Sequence, residues 1–152
     1  FCIDEIIDFP GYAPLVNDAG LVEIAKEAFE FVCPEEKLDV TDAISSGSTD
    51  MGDLSSIMPV IHPNAAGSFG AGHGSDYKIV DAESACVKSA KWQLAMIYLL
   101  LENGGERAKK IASEYKAPFA DKEAYFKYID SLNSSGDRIV YNDDGTATAR
   151  LK

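Results

Sequence analysis

The apolar positions follow two different periodicities along the chain, and together they predict a mixed fold. Residues 1–9 carry apolar side chains in partial alternation, which is typical of a strand, and Pro10-Gly11 ends it. A helix is predicted after Asn17 and Asp18, because both side chains are good helix caps, and Pro34 terminates this helix. Its apolar face consists of Leu21, Ile24, Ala25, Ala28, Phe29 and Val32.

The segment from residue 38 to residue 70 contains short apolar runs separated by small residues. We predict short strands at Leu38–Val40 and Val60–Ile61 and a short helix from Asp50 to Ile57. Ala65–Gly70 is small and flexible, and we predict a buried strand there, beside a cleft.

Longer helical periodicity dominates the rest of the chain. Asp81 is predicted to cap a long helix that Gly104-Gly105 stops. Two further helices are predicted, one from Glu106 to Tyr115 and one capped by Asp121, before a hairpin at Asp137–Leu151. The hairpin turn is Asn142-Asp143-Asp144-Gly145. Because strands alternate with helices, we expect an α/β layered core.

Composition narrows the function classes. The 152 residues suffice for one compact domain, and a net charge of −11 argues against binding to nucleic acid or to an anionic membrane. Cys2, Cys33 and Cys86 form no C-x-x-C pair, so we expect reduced cysteines and a cytoplasmic protein. No membrane span or signal peptide is visible. The chain opens at Phe1 rather than Met, which suggests a piece of something longer.

The loop from Ser45 to Asp50 is rich in hydroxyls and backbone N–H groups. A loop of this composition at a helix start suits a carboxylate or another anion. The alternative is an ordinary capped turn that leads into a helix.

Two histidines are candidates for chemistry. His73 lies among glycines, which would let its ring reach a metal or a substrate, and His62 precedes Pro63 at the end of an apolar run. The alternatives are an exposed loop histidine for His73 and a strand-end histidine for His62. Their separation matches no local metal-ligand spacing. Asp81 and Glu83 are interpreted as helix-start charges.

Four segments carry a family resemblance because they occur in one order with sensible gaps. They are Pro10–Asp18 (P-G-Y-A-P-L-V-N-D), Ser46–Ser55 (S-G-S-T-D-M-G-D-L-S), Pro59–Pro63 (P-V-I-H-P) and Gly72–Tyr77 (G-H-G-S-D-Y). This set resembles the carboxy-terminal part of the aminoacylase and glutamate-carboxypeptidase family of zinc metallopeptidases. The nearest branch contains p-aminobenzoyl-glutamate hydrolase. The resemblance covers roughly residues 1–103.

The resemblance implies a fold and a division of the chain. It implies part of a three-layer α/β/α sandwich, extended by carboxy-terminal helices and a hairpin. Residues 1–9 would be the last strand of a missing inserted dimerisation domain, and residues 10–133 the carboxy-terminal half of the catalytic domain. Residues 134–152 would form a terminal hairpin or tail. The complete enzyme would be a homodimer.

The resemblance also implies roles for individual residues. Ser46, Gly47, Ser48 and Thr49 would line a pocket for the substrate's carboxylate, His62 would contact substrate, and His73 would hold one metal ion. Relatives bind two zinc ions, with manganese or cobalt as alternatives. Their other ligands and the general-base glutamate lie upstream of the matching region. One recognisable ligand is too few for a catalytic zinc, which takes about three protein ligands.

We therefore expect a fragment of a metal-dependent amidohydrolase that is inactive alone. Its substrate would be a small N-acyl or N-aryl amino acid or a dipeptide. The alternatives are a non-catalytic module that binds a small acidic ligand or a partner chain, and an α/β domain with a chance set of motifs. Loss of an upstream half would leave an apolar face uncovered, so we also expect self-association.

Overall fold

The computed structural model describes residues 11–41, 47–132 and 139–149, and helices account for about half of this part of the chain. Four α-helices and four short strands follow one another, with one π-helical turn at Glu83–Lys88 leading directly into the longest helix. The helices are α1 (Ala19–Val32), α2 (Met51–Ser55), α3 (Ser89–Glu114) and α4 (Lys122–Leu132). The strands are β1 (Ser68–Phe69), β2 (Lys78–Ile79), β3 (Ile139–Tyr141) and β4 (Ala147–Ala149).

The core lies between α1 and α3. Helix α1 begins where predicted, because the Asp18 carboxylate accepts a hydrogen bond of 3.0 Å from the Leu21 N–H. Trp92 of α3 packs edge-on against Phe29, with ring centroids 5.3 Å apart, and its indole N–H donates to the Ala25 carbonyl at 2.8 Å. The buried cluster consists of Ile24, Ala25, Ala28, Trp92 and Met96.

Helix α3 is interrupted at residues 102–105. Glu102 is extended (ψ 160°), and Asn103, Gly104 and Gly105 all have positive φ, which confirms the predicted stop at the two glycines. The chain then resumes as the predicted helix over residues 106–114. This second part turns back toward α1, where Arg107 pairs with Glu27 at 2.6 Å and Ile111 packs against the core.

The strands form two separate antiparallel pairs, β1 with β2 and β3 with β4. The second pair is the predicted hairpin, with Gly145 at φ +80° and a hydrogen bond of 2.9 Å from the Asn142 N–H to the Thr146 carbonyl. Helix α4 also begins as predicted, since the Asp121 carboxylate accepts from the Ala124 N–H at 2.7 Å.

Three local predictions were wrong. Leu38–Val40 and Val60–Ile61 are not strands, because neither has a ladder partner among the described residues. Within Ala65–Gly70 only Ser68–Phe69 is a strand, and both residues are exposed rather than buried. The strand predicted at residues 1–9 and the break predicted at residues 134–136 lie outside the described residues. The three-layer sandwich remains a prediction.

Two further observations concern the chain as a whole. Across residues 11–41, 47–132 and 139–149, no helix is both long enough and apolar enough to cross a membrane. Cys33 is buried and Cys86 is exposed, and both carry free thiols.

Candidate functional site

The serine- and threonine-rich loop leads into α2 through local hydrogen bonds. The Thr49 hydroxyl accepts from the Met51 N–H at 3.3 Å and donates to the Asp50 carboxylate at 3.4 Å. Thr49 therefore supports the start of α2, whereas the Asp50 side chain caps no backbone N–H of this helix and, among the described residues, accepts only from Thr49. Gly47 and Ser48 are exposed, whereas Ser46 lies outside the described residues.

Helix α2 is bound to the segment that precedes α1. The Asp53 carboxylate accepts from the Ala13 N–H at 2.8 Å, and the Ser55 hydroxyl lies 3.3 Å from the Val16 N–H. Gly52 allows this approach, because a Cβ atom there would lie 1.6 Å from the Ala13 carbonyl oxygen. Two segments of the family resemblance thus contact each other through their backbones.

A third segment joins the same region. The Val60 carbonyl accepts from the Asp18 N–H at 2.8 Å, and the His62 N–H donates to the Asn17 side-chain oxygen at 3.0 Å. We call the hydrogen-bonded unit of residues 13–18, α2 and residues 60–62 the motif junction. It connects three of the four segments that carry the resemblance.

Two tyrosines lie against the motif junction. The Tyr115 hydroxyl, at the end of α3, donates to the Ser55 carbonyl. Tyr125 of α4 is buried, and this burial, followed by a hydrogen bond to the Asp53 carboxylate, raises the pKa of Tyr125 to about 12. Both phenols are protonated at neutral pH, and their hydrogen bonds connect α4 and the end of α3 to α2.

A cavity of about 540 Å³ opens beside the motif junction, between α1, the start of α3 and two loops. Its apolar floor includes Phe29, Cys33 and Trp92, and its polar rim includes Asn17 and His62. This volume is typical of small-ligand sites. Of the predicted site residues, His62 lines this cavity, whereas Gly47, Ser48, Thr49 and His73 do not.

Two opposite charges at the cavity rim, Glu36 and Lys88, form an ion pair. The Lys88 ammonium donates to the Glu36 carboxylate, and this hydrogen bond raises the pKa of Lys88. Both side chains are partly exposed, so the ion pair contributes little to stability. Because Glu36 already neutralises Lys88, an anionic ligand at this rim would gain less from the ammonium than it would from an unpaired lysine.

His73 lies in a separate, ordered loop between β1 and β2. The Gly74 N–H donates to the Ala71 carbonyl at 2.8 Å, and the Ala71 N–H donates to the Asp76 carboxylate at 3.4 Å. His73 itself has φ +62°, a left-handed conformation that is uncommon outside glycine, and its side chain is exposed. No hydrogen bond among the described residues joins this loop to Thr49 or His62.

The described residues do not by themselves fit a catalytic zinc. Over the three described ranges, no three His, Cys, Asp or Glu side chains are grouped so that they could hold a metal ion. His73 is available as a single exposed ligand. Any site that used it would need ligands from other polypeptide.

Sequence reasoning missed the residues that build the motif junction. Asn17 was considered only as a helix cap, yet its side chain accepts from His62. Gly52 and Ser55 have no predicted role of their own, and Asp53 is a candidate only as a metal ligand, a partner of a ligand or a cap, yet all three contact the segment before α1. The one available signal was that these residues fall inside the segments of the resemblance.

The comparisons with known proteins add no relative. No family model matches the chain, and neither a curated protein nor a solved structure matches it.

Proposed function

We propose that this chain is the carboxy-terminal part of a metal-dependent amidohydrolase that hydrolyses an amide bond to an amino acid. The observation that supports this most strongly is the motif junction, where three segments chosen from sequence order alone meet through direct hydrogen bonds. The fourth segment, which carries His73, lies in a separate loop. The proposal includes a cytoplasmic location, a three-layer α/β/α fold and a homodimer for the complete enzyme.

The conformation of His73 supports the same proposal. A non-glycine residue held at positive φ in an exposed, hydrogen-bonded loop suggests a functional constraint. Its imidazole presents a metal-ligand nitrogen to solvent or to another polypeptide. Zinc, when bound by His73 and ligands from outside this sequence, would supply Lewis-acid chemistry to the amide carbonyl. Manganese or cobalt could replace zinc.

Joining this chain to the polypeptide encoded directly before Phe1 tests the proposal. We expect the joined protein to bind zinc and hydrolyse N-acyl or N-aryl amino acids or dipeptides, and the chain alone to do neither. His73→Ala should lower zinc content and reduce kcat/KM by about a hundredfold or more, because it removes a ligand. Zinc analysis and steady-state kinetics measure both effects.

His62→Ala is the matched control in the joined protein. Since His62 lines the cavity and lies in a different loop from His73, we expect it to retain zinc and to alter mainly KM. If the joined protein had no amidohydrolase activity, or if His73→Ala retained full zinc and full activity, the proposal would be wrong.

A second candidate function rests on the cavity rather than on His73. The chain would then be a non-catalytic module that binds a small acidic ligand beside His62, or a partner chain. Titration of the isolated chain with N-acyl glutamates distinguishes the two candidates. Binding that His62→Ala removes and His73→Ala leaves intact, without hydrolysis in the joined protein, would favour the module.

A further inference from the structure

An asparagine followed by a glycine, Asn103-Gly104, lies in the interruption of α3. Asn103 is exposed, and over the described ranges its side-chain amide takes part in no hydrogen bond. Both residues have a left-handed backbone, with φ of 50° and 74°. A Cβ atom at Gly104 would meet no other part of the chain within 4 Å. Asn103 therefore combines an unbonded side-chain amide with an uncrowded following residue.

We propose that Asn103 is a site of spontaneous deamidation in the folded chain. The Gly104 backbone nitrogen attacks Cγ of Asn103 and gives up its proton. A bond from this nitrogen to Cγ forms, the bond from Cγ to the side-chain nitrogen breaks, and ammonia leaves. Water then opens the cyclic succinimide that results. Addition of water at Cγ gives aspartate, and addition at the backbone carbonyl gives isoaspartate. Asparagine is one of the thermolabile residues of proteins.

Glycine at position 104 favours this attack. Ring closure requires rotation of the backbone between Asn103 and Gly104, because Cγ must come to lie beside the Gly104 nitrogen. A residue without Cβ permits both the rotation and the close approach to its nitrogen. The Lys109 ammonium donates to the Gly104 carbonyl oxygen at 2.9 Å, so this contact involves neither the attacking nitrogen nor the side chain that is attacked.

The other described asparagines lack this combination. The Asn17 side-chain oxygen accepts from the His62 N–H at 3.0 Å. The Asn142 side-chain nitrogen donates to two threonine hydroxyls, at 2.8 Å and 3.0 Å. Asn64 is exposed but precedes Ala65, whose Cβ hinders approach to its own backbone nitrogen. Asn64 is therefore an internal control for the effect of the glycine.

The isoaspartate product lengthens the backbone inside the interruption. Its chain passes through Cβ and Cγ and so contains an extra carbon, whereas the aspartate product only adds a negative charge. In the second part of α3, Arg107 pairs with Glu27 at 2.6 Å and Ile111 packs against the core. Both contacts depend on where this part of the helix begins. Isoaspartate at position 103 therefore loosens residues 106–114 from α1.

Timed incubation of the folded chain in a mildly alkaline buffer tests the site. Peptide mass spectrometry measures the conversion of each asparagine, because exchange of an amide for an acid changes the peptide mass. We expect Asn103 to convert roughly tenfold or more faster than Asn64, and Gly104→Ala to slow Asn103 by about the same factor. Circular dichroism checks that Gly104→Ala retains its helices.

The comparison of Asn103 with Asn64 within the wild-type chain does not depend on the folding of any variant. Equal conversion at the two positions would overturn the proposal. Conversion of Asn103 that occurs only in urea would overturn it as well, since the site would then belong to the unfolded chain.

Hydrogen exchange tests the effect on α3, after chromatography has separated the isoaspartate form from the unreacted chain. We expect amide exchange in residues 106–114 to be about tenfold or more faster in the isoaspartate form. Freshly prepared Asn103→Asp is the matched control, because it carries the added charge on a backbone of normal length. Equal exchange in the isoaspartate form and in Asn103→Asp would show that the longer backbone does not loosen this helix.

Discussion

At the scale of single residues, Gly52 decides whether the motif junction can form. Helix α2 and the segment before α1 approach so closely at this position that the Ala13 carbonyl occupies the space of a side chain. The Asp53 and Ser55 hydrogen bonds to that segment depend on the same approach. A glycine within a predicted short helix therefore marks a close backbone contact.

Gly52→Ala should reduce the free energy of unfolding by about 1–3 kcal/mol, because the new methyl group forces the two segments apart. Urea denaturation followed by circular dichroism measures this loss. Gly72→Ala is the control, since a Cβ there meets no atom within 4 Å. We expect its effect to lie within about 0.5 kcal/mol of zero. Equal stability of the two variants would contradict the close contact.

At the scale of elements, the interface between α1 and α3 stabilises the described fold more than any other contact between two elements. Trp92 buries apolar area because its ring packs against Phe29. It also orients α3 on α1, because its N–H donates to the Ala25 carbonyl. The exposed ion pair of Arg107 with Glu27 adds little to this. It lowers the pKa of Glu27 through a hydrogen bond.

Two substitutions at Trp92 separate packing from hydrogen bonding. Trp92→Phe should cost about 1 kcal/mol of unfolding free energy for the lost hydrogen bond, and Trp92→Ala about 3–5 kcal/mol for the cavity. Gln93→Ala, the neighbouring exposed change, should be nearly neutral. Chemical denaturation followed by circular dichroism measures the free energy of unfolding of the three variants. A Trp92→Ala variant as stable as Gln93→Ala would place the core elsewhere.

Helix ends and the β3–β4 hairpin were predictable from sequence, whereas short strands without a hairpin turn were not. Asp18, Asp121 and the Gly104-Gly105 pair act through neighbouring backbone groups, so their chemistry is local and readable. Leu38–Val40 and Val60–Ile61 have strand-like composition, but a strand also requires a partner at hydrogen-bonding distance. Local sequence contains no information about that partner.

The candidate site shows the same difference between local chemistry, which the sequence predicts, and contacts between distant residues, which it does not. The resemblance singled out the segments but not the contacts between them, because Asn17 accepts from the His62 N–H across 45 positions and Asp53 accepts from the Ala13 N–H across 40. Thr49 and His73, which the resemblance assigns to the substrate pocket and the metal site, share no hydrogen bond among the described residues. Contacts over such separations depend on packing, which the motifs alone do not determine.

At the scale of the whole molecule, the described contacts are unevenly distributed. Most of the buried apolar side chains lie between α1 and the first part of α3, whereas β3 and β4 pair mainly with each other. Local stability follows such differences, because a segment with few buried contacts opens at low free energy.

Hydrogen exchange should report this gradient. We expect the slowest amide exchange in α1 and residues 89–101, and the fastest in the hairpin of residues 139–149. Mass spectrometry of peptides from a time course measures both. The comparison is made within one sample, so no separate control protein is needed. Equal protection of the hairpin and of α1 would show that the hairpin has a partner surface of its own.

The interruption at residues 102–105 constrains the length of the chain as well as its composition. The helix that follows it presents Arg107 to Glu27, Ile111 to the core and Tyr115 to Ser55, all from one side. Because residues 102–105 are non-helical, inserting or deleting one residue there would shift the starting point and direction of that helix and displace all three side chains together. The left-handed backbone of Asn103, Gly104 and Gly105 adds a second demand, so this corner restricts both the number and the type of its residues.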